Sequence, residues 1–457
     1  MESLASQLLQ KEGVNRLGSV HGYIASLFFR PLGDTTRVNG GKLLEFRGFR
    51  EWWAGYRVML LRAAIVIMAI ASLVWLSYQF WRLLWGSAPI WHTSPTGAVD
   101  LKLLHRLVHE WFAGRPVYRE LPSATYPPAT YVLLWPMLGW LEIAPARWLW
   151  AVTTVVALTT LVHVVVRESR ADTSLERAFM ALIPCAIYAT GAAIGNGQLI
   201  VHLLPMMLVG LLMLHRKPRG RKAQLLASAL ILATLVKPSI SVPFLWLVLF
   251  LPRSPGPVTL VALGYCILTL FAVSFQDSTP IALLHDWQAR SSSMAVTGGY
   301  GNVANLHVWL GRVGLKEWIF PTSLALMVAL GLWSYRYRYV DIWILLGVTS
   351  YVARFWTYHR WYDDALIILP IVTLFRIAKR GPSDQGADVI AGVLLGVTLL
   401  LMLAPGGLFL LPPPWNTVYV SGQVVVWVVT LVFLLGQAQA ENRMRTALAK
   451  EVSANEP

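Results

Sequence analysis

Asp100 is the first side chain in this sequence placed to do chemistry. It follows a long apolar run and heads the stretch Val99 to Tyr118, which reads as a short amphipathic helix. A carboxylate in or beside lipid costs about 3 kcal/mol unless water or a partner receives it. Held within hydrogen-bond reach of a hydroxyl, it is a general base. An acid at a helix start also caps that helix, and position alone leaves both readings open.

Four more groups of residues could handle a sugar or a phosphate. His359-Arg360-Trp361-Tyr362-Asp363-Asp364 packs two cations, two aromatics and two acids into one short turn. His359 and Arg360 can clamp a phosphodiester through charge-assisted hydrogen bonds, or the turn can be a self-paired surface cluster. Lys237-Pro238 interrupts an apolar stretch, so Lys237 either snorkels to the interface or faces an anion such as a lipid phosphate. Gly195-Asn196-Gly197-Gln198 is a tight turn with two amides, suited to a phosphate or a sugar hydroxyl and also simply a good turn. Tyr126-Pro127-Pro128 is a rigid entry into an apolar segment, equally a helix start. A long loop adds His285, Asp286, Trp287, Arg290, Asn302, Asn305 and His307, of which Trp287 and Asn302 suit stacking on and hydrogen bonding to a sugar.

The elements that carry these residues are membrane helices. The chain has 457 residues, 56% hydrophobic and only 13% charged, and no soluble domain carries so many long uncharged runs. The runs are continuous, not alternating, which favours helices over strands. Runs of about spanning length lie near 60–85, 147–166, 178–194, 198–214, 223–237, 239–251, 257–275, 319–335, 340–356, 361–377, 388–411 and 417–436. A thirteenth, 126–142, is broken by Pro127, Pro128 and Pro136 and reads as re-entrant or surface-lying. The net charge of +15 does not mark a nucleic-acid binder, because the cations are scattered through short loops. There they report orientation and put both termini on the cytoplasmic side. Residues 1–58 form a basic cytoplasmic leader, 59–436 the membrane domain and 437–457 a cytoplasmic tail. Cys185 and Cys266 lie in separate apolar runs without metal or disulfide spacing. With this topology Asp100, the 195–198 turn, the long loop and the 358–364 turn all face the outer, trans side.

Taken in order, these motifs resemble the GT-C superfamily of membrane glycosyltransferases and, within it, glycosyltransferase family 87. That family includes the polyprenol-phosphate-mannose-dependent mannosyltransferases of actinobacteria. The residues that carry the resemblance are Asp100, Gly114 to Tyr118, Tyr126-Pro127-Pro128, Gly197-Gln198, Lys237-Pro238 and Tyr362-Asp363. The aromatics that follow the family's acid are replaced here by Leu101, Leu103 and Leu104, and the Asn after its Gly-Gln pair by Ile200.

The resemblance implies an all-α, GT-C-type bundle of about twelve transmembrane helices, with an interfacial helix in the first outer loop, in a bacterial inner membrane. It implies inverting transfer of a hexose, mannose favoured, from a polyprenyl-phosphate sugar to a lipid or glycan hydroxyl. Asp100 would be the base. His359, Arg360 and Lys237 would bind the donor phosphate, and Tyr118, Tyr126, Asn196, Gln198, Trp287, Asn302, Tyr362 and Asp363 the rest of the substrates. No cofactor is called for; some GT-C enzymes use a divalent metal, but no ligand cluster here demands one. The competing reading is a polytopic lipid or solute transporter or flippase, which would need polar residues near the midplane in a pseudo-symmetric pair. A third is a non-catalytic assembly subunit on the same scaffold.

Overall fold

The computed structural model describes residues 41–86, 97–216, 220–251, 255–296, 305–380 and 386–454. Residues 1–40 of the expected leader and Asn302 lie outside the described residues. The chain divides into two compact units, Met1–Ala54 and Gly55–Pro457. In the first, the described residues 41–54 are helical.

The second unit opens with α1 (Gly55–Trp85). It continues through α2 (Val99–Phe112), α3 (Val117–Glu120), α4 (Pro128–Leu138), α5 (Ile143–Glu168), α6 (Ser174–Ala186), α7 (Tyr188–Asn196), α8 (Ile200–His215) and α9 (Arg221–Thr234). Then come α10 (Pro238–Ser241), α11 (Leu245–Phe250), α12 (Gly256–Val273), α13 (Pro280–Val296), α14 (Leu306–Arg312) and α15 (Ile319–Arg336). The last four are α16 (Ile342–Phe355), α17 (Ile368–Ala378), α18 (Ala387–Met402) and α19 (Trp415–Ala454). Among the described residues there is no strand, only an isolated bridge between Ile187 and Leu403.

Every apolar run becomes helix, because a chain in lipid must satisfy its backbone internally. The structure shows an all-helical bundle with fewer candidate spans than the twelve expected. Among the described residues five helices are long and apolar enough to cross a membrane, or six if the bent pair α7 and α8, which meet at 117°, is one span. The physical reason is that hydropathy does not register bends. The run 178–194 breaks at Ile187, and the runs on either side of Lys237 fall into α9, α10, a 3₁₀ turn and α11. Helix α4, of 11 residues, is about 16 Å long, too short to cross alone.

Two ends of this bundle are chemically distinct. At one, Asp341 receives Arg376 at 2.7 Å and Arg380 at 3.5 Å, Glu441 receives Arg380 at 3.2 Å, and Lys379 reaches Asp172 and Glu176 at 2.7 and 2.6 Å. These are loop cations that the sequence placed on a common side. Helix α16 starts at that end and carries Arg354 and the 358–364 turn at its other.

Helix α2 is locked into the protein rather than left on its surface. Its apolar side, Leu101, Leu104, Leu107, Val108 and Trp111, is buried. Trp111 stacks on Tyr131 with centroids 4.4 Å apart and donates to the Ala272 carbonyl at 3.0 Å. His109 and His105 donate through Nε2 to the carbonyls of Leu138 and Leu141, at 3.0 and 2.7 Å, satisfying acceptors at the end of α4 that its own helix cannot. Gly197, at φ 70°, lies so near Leu101 that a Cβ there would come within 2.4 Å of the Leu101 Cβ and 3.3 Å of its backbone nitrogen.

Gly197→Ala therefore meets both a left-handed backbone penalty and a clash that no rotamer relieves. It should cost about 2 kcal/mol or more, read as a lower melting temperature of the detergent-purified protein. An unchanged melting temperature would show that the α2 contact is not tight.

Candidate active site

Three interruptions of regular helix deliver the polar side chains. The first is the break between α7 and α8, where Gly197 turns the chain and Gln198 follows, buried. The Gly195 carbonyl accepts from Ala98 N at 2.8 Å, just ahead of α2. The Gln198 side chain lies beside the carboxyl group of Asp100 and acts to favour its ionised form. Asp100 itself is in the first turn of α2. The cap position belongs to Ala98, which has no side-chain bond to offer, so the carboxylate is not used as the cap.

The second interruption is Lys237-Pro238. Proline sets the residue before it in an extended conformation, and Lys237 has φ −129° and ψ 82°. Its neighbours are pinned from both sides: Thr130 Oγ1 donates to the Val236 carbonyl and Trp356 Nε1 to the Ser239 carbonyl, each at 2.8 Å. Lys237 Nζ then reaches Asp363 Oδ1 at 2.7 Å, with the Tyr362 ring 5.2 Å away.

The third is the turn between α16 and α17. Asp363 Oδ2 accepts from His359 Nδ1 at 3.1 Å and from the Arg360 backbone N at 3.2 Å. With Lys237 on the other oxygen, this carboxylate has three donors in a place where it is 2% exposed. Burial pushes the His359 imidazolium below its ordinary range despite the neighbouring Asp363, so the ring is neutral and serves Asp363 as an N–H donor. Arg360 Nε donates to the Tyr358 hydroxyl at 2.5 Å, and its charge acts on Asp100. Next door, Asp364 takes Arg354 Nε in a buried ion pair and the Tyr188 hydroxyl at 2.5 Å, with Gln423 Nε2 3.3 Å from that hydroxyl.

Asp100, Lys237, Arg360 and Asp363 thus come within electrostatic reach of one another. The Tyr126 and Tyr362 phenols feel both acids and Arg360. Burial raises the Asp100 carboxyl above the usual range, against the opposing pull of Gln198, Arg360 and Lys237. Opposite charges, a carboxylate and aromatics gathered in one place are what a group transfer with an anionic leaving group requires. Among the described residues no three His, Cys, Asp or Glu side chains cluster as a metal site would.

A model of glycosyltransferase family 87 matches residues 124–368, more than half of the chain. The chain belongs to glycosyltransferase family 87. It is a membrane glycosyltransferase with several apolar helices. No curated protein and no solved structure matches it. The family match covers Tyr126, Asn196, Gln198, Lys237 and the 358–364 turn but begins after Asp100. It is the coordinates that tie Asp100 to the glycosyltransferase core.

Other residues singled out in the sequence lie around this centre. The Tyr118 hydroxyl donates to the Tyr126 carbonyl at 2.7 Å. Trp287 on α13 donates to the Thr125 carbonyl at 2.9 Å, and Arg290 to Tyr118 O at 2.9 Å, so α13 braces the loop carrying Tyr126. Asn196 accepts from Arg82 at 3.3 Å. His307, pushed down to about 4 by burial and by His359, sits 2.8 Å from Ser323 Oγ. The sequence reading missed Arg354, Tyr188 and Gln423. Arg354 and Gln423 had a signal, each a strongly polar residue inside an apolar run; Tyr188 had none.

Removing one partner of a buried ion pair strands the other. Asp363→Asn should lower stability by about 3–5 kcal/mol, and adding Lys237→Met should restore part of the loss in thermal unfolding. A single variant as stable as the wild type would remove Asp363 from this role.

Proposed function

We propose that this glycosyltransferase moves a hexose, with mannose favoured, from a polyprenyl-phosphate sugar to a hydroxyl of a lipid or glycan on the trans side of a bacterial inner membrane, with inversion. The observation that carries the reading is the convergence of Asp100 with Lys237, Arg360 and Asp363. The acceptor hydroxyl gives its proton to Asp100 as its oxygen bonds to the anomeric carbon. The bond from that carbon to the phosphate oxygen breaks, and the polyprenyl phosphate leaves with the electron pair.

The leaving phosphate gains negative charge in the transition state, so fixed cations lower the barrier. Arg360 is best suited to this role, because its guanidinium bonds a phenol and acts on Asp100. Lys237 is partly neutralised by Asp363, and neutral His359 supplies orientation of that carboxylate rather than charge. Tyr126, Tyr362 and Gln198 line the same centre and fit contacts with the sugar or the acceptor.

Asp100 must be ionised to act, and burial raises its pKa. The rate should therefore climb with pH along a limb lying above the ordinary aspartate range. Purified protein in lipid, offered a panel of radiolabelled polyprenyl-phosphate sugars, tests both points. Asp100→Asn should abolish that limb and cut turnover by roughly 10²–10⁴-fold with normal membrane insertion. Wild-type turnover by Asp100→Ala would end the assignment.

A further inference from the structure

We propose that Arg82 is an anion-binding residue whose guanidinium takes the phosphate of a lipid at the end of α1. The inference does not need the reaction assigned above. Arg82 lies in the last turn of a membrane-spanning helix and is 2% exposed. Among the described residues no carboxylate pairs with it, and the sequence holds no acid between Glu51 and Asp100. Among the described residues its side-chain partners are two neutral amides, Nη1 donating to Gln79 Oε1 at 3.0 Å and Nη2 to Asn196 Oδ1 at 3.3 Å, and Nε has no hydrogen-bond partner among them.

The under-satisfied atoms share one edge. Nε and Nη2 form the side of the guanidinium fork that matches two oxygens of a phosphate. One of these is unpartnered and the other holds a long bond. The helix C-terminus favours a cation, but that gain is small beside the cost of desolvating a charge without an anion. A buried ionisable group of this kind in a membrane helix marks a functional site.

The level is right for a lipid phosphate. Trp81 and Trp85, which flank Arg82, are 49% and 63% exposed, and tryptophans on a membrane protein's outside settle at headgroup depth. The place is also adjacent to the active site. Asn196 belongs to the turn whose Gln198 meets Asp100, and at Gly195 of that turn a Cβ would come 3.2 Å from Arg82 Nη1.

The full chain in detergent, with Arg82→Gln and Arg82→Lys beside it, tests this through thermal shifts. The probes are farnesyl phosphate, phosphatidylglycerol in mixed micelles and inorganic phosphate. At least one should stabilise the wild type, with at least tenfold weaker apparent affinity in Arg82→Gln and an intermediate loss in Arg82→Lys, which keeps charge but not the fork. A shift with farnesyl phosphate alone assigns an isoprenoid phosphate; one with phosphatidylglycerol assigns a bilayer lipid. Without any probe, Arg82→Gln should melt no lower than the wild type, since it removes an uncompensated charge. No Arg82-dependent shift with any of the three probes overturns the proposal, and so does an unliganded Arg82→Gln protein that melts lower.

Discussion

Asp363 is a carboxylate almost sealed from solvent, and it stays ionised only because three donors face its two oxygens. Lys237 comes from one break in the bundle, while His359 and the Arg360 amide come from its own turn. Separating Lys237 from Asp363 would strand a charge in an environment where desolvation is costly, so α10 and the 358–364 turn have to stay together. This constraint also divides the labour among the cations. Lys237 is held by a carboxylate and His359 is neutral, whereas Arg360 bonds a phenol and directs its charge at Asp100. A second buried pair, Arg354 with Asp364, extends the same logic through Tyr188 to Gln423 on α19.

The polar centre sits where helices stop. Gly197 ends α7, Pro238 ends the extended segment at Lys237, and the turn after α16 carries His359, Arg360, Asp363 and Asp364. A regular helix in lipid spends every backbone group on itself and presents mostly apolar side chains. Its interruptions free backbone groups and gather polar side chains from separate segments in one place. The bend of 117° between α7 and α8 is therefore part of the site, since it brings Gln198 to α2.

Much of this was legible in the sequence. Asp100, Gln198, Lys237, Tyr126, Arg360 and Asp363 were named from type, order and position, and the structure brings them together. The helical class followed from uninterrupted apolar runs. The number of crossings was not legible, because the sum of hydropathies in a window is blind to helix breaks at Ile187 and Lys237 and to the bend between α7 and α8. Side-chain pairing was not legible either. That His359 serves Asp363 rather than standing as a free cation depends on a rotamer. That Tyr118 spends its hydroxyl on the Tyr126 carbonyl depends on a loop path. Neither is written in residue spacing.

The family match ends at residue 368 and begins at 124, yet the centre is not closed by that segment alone. Asp100 enters from α2 on one side of it. On the other, Gln423 meets the Tyr188 hydroxyl, and Phe409 stacks on Trp361 with centroids 5.1 Å apart. Trp361 is in turn stacked on Tyr188 at 6.0 Å, so the ring beside Arg360 is held between a residue within the match and one beyond it. The matched core brings the charged turn, and the flanking helices fix where it points. The polar centre is therefore assembled from parts of the chain both inside and outside the shared segment.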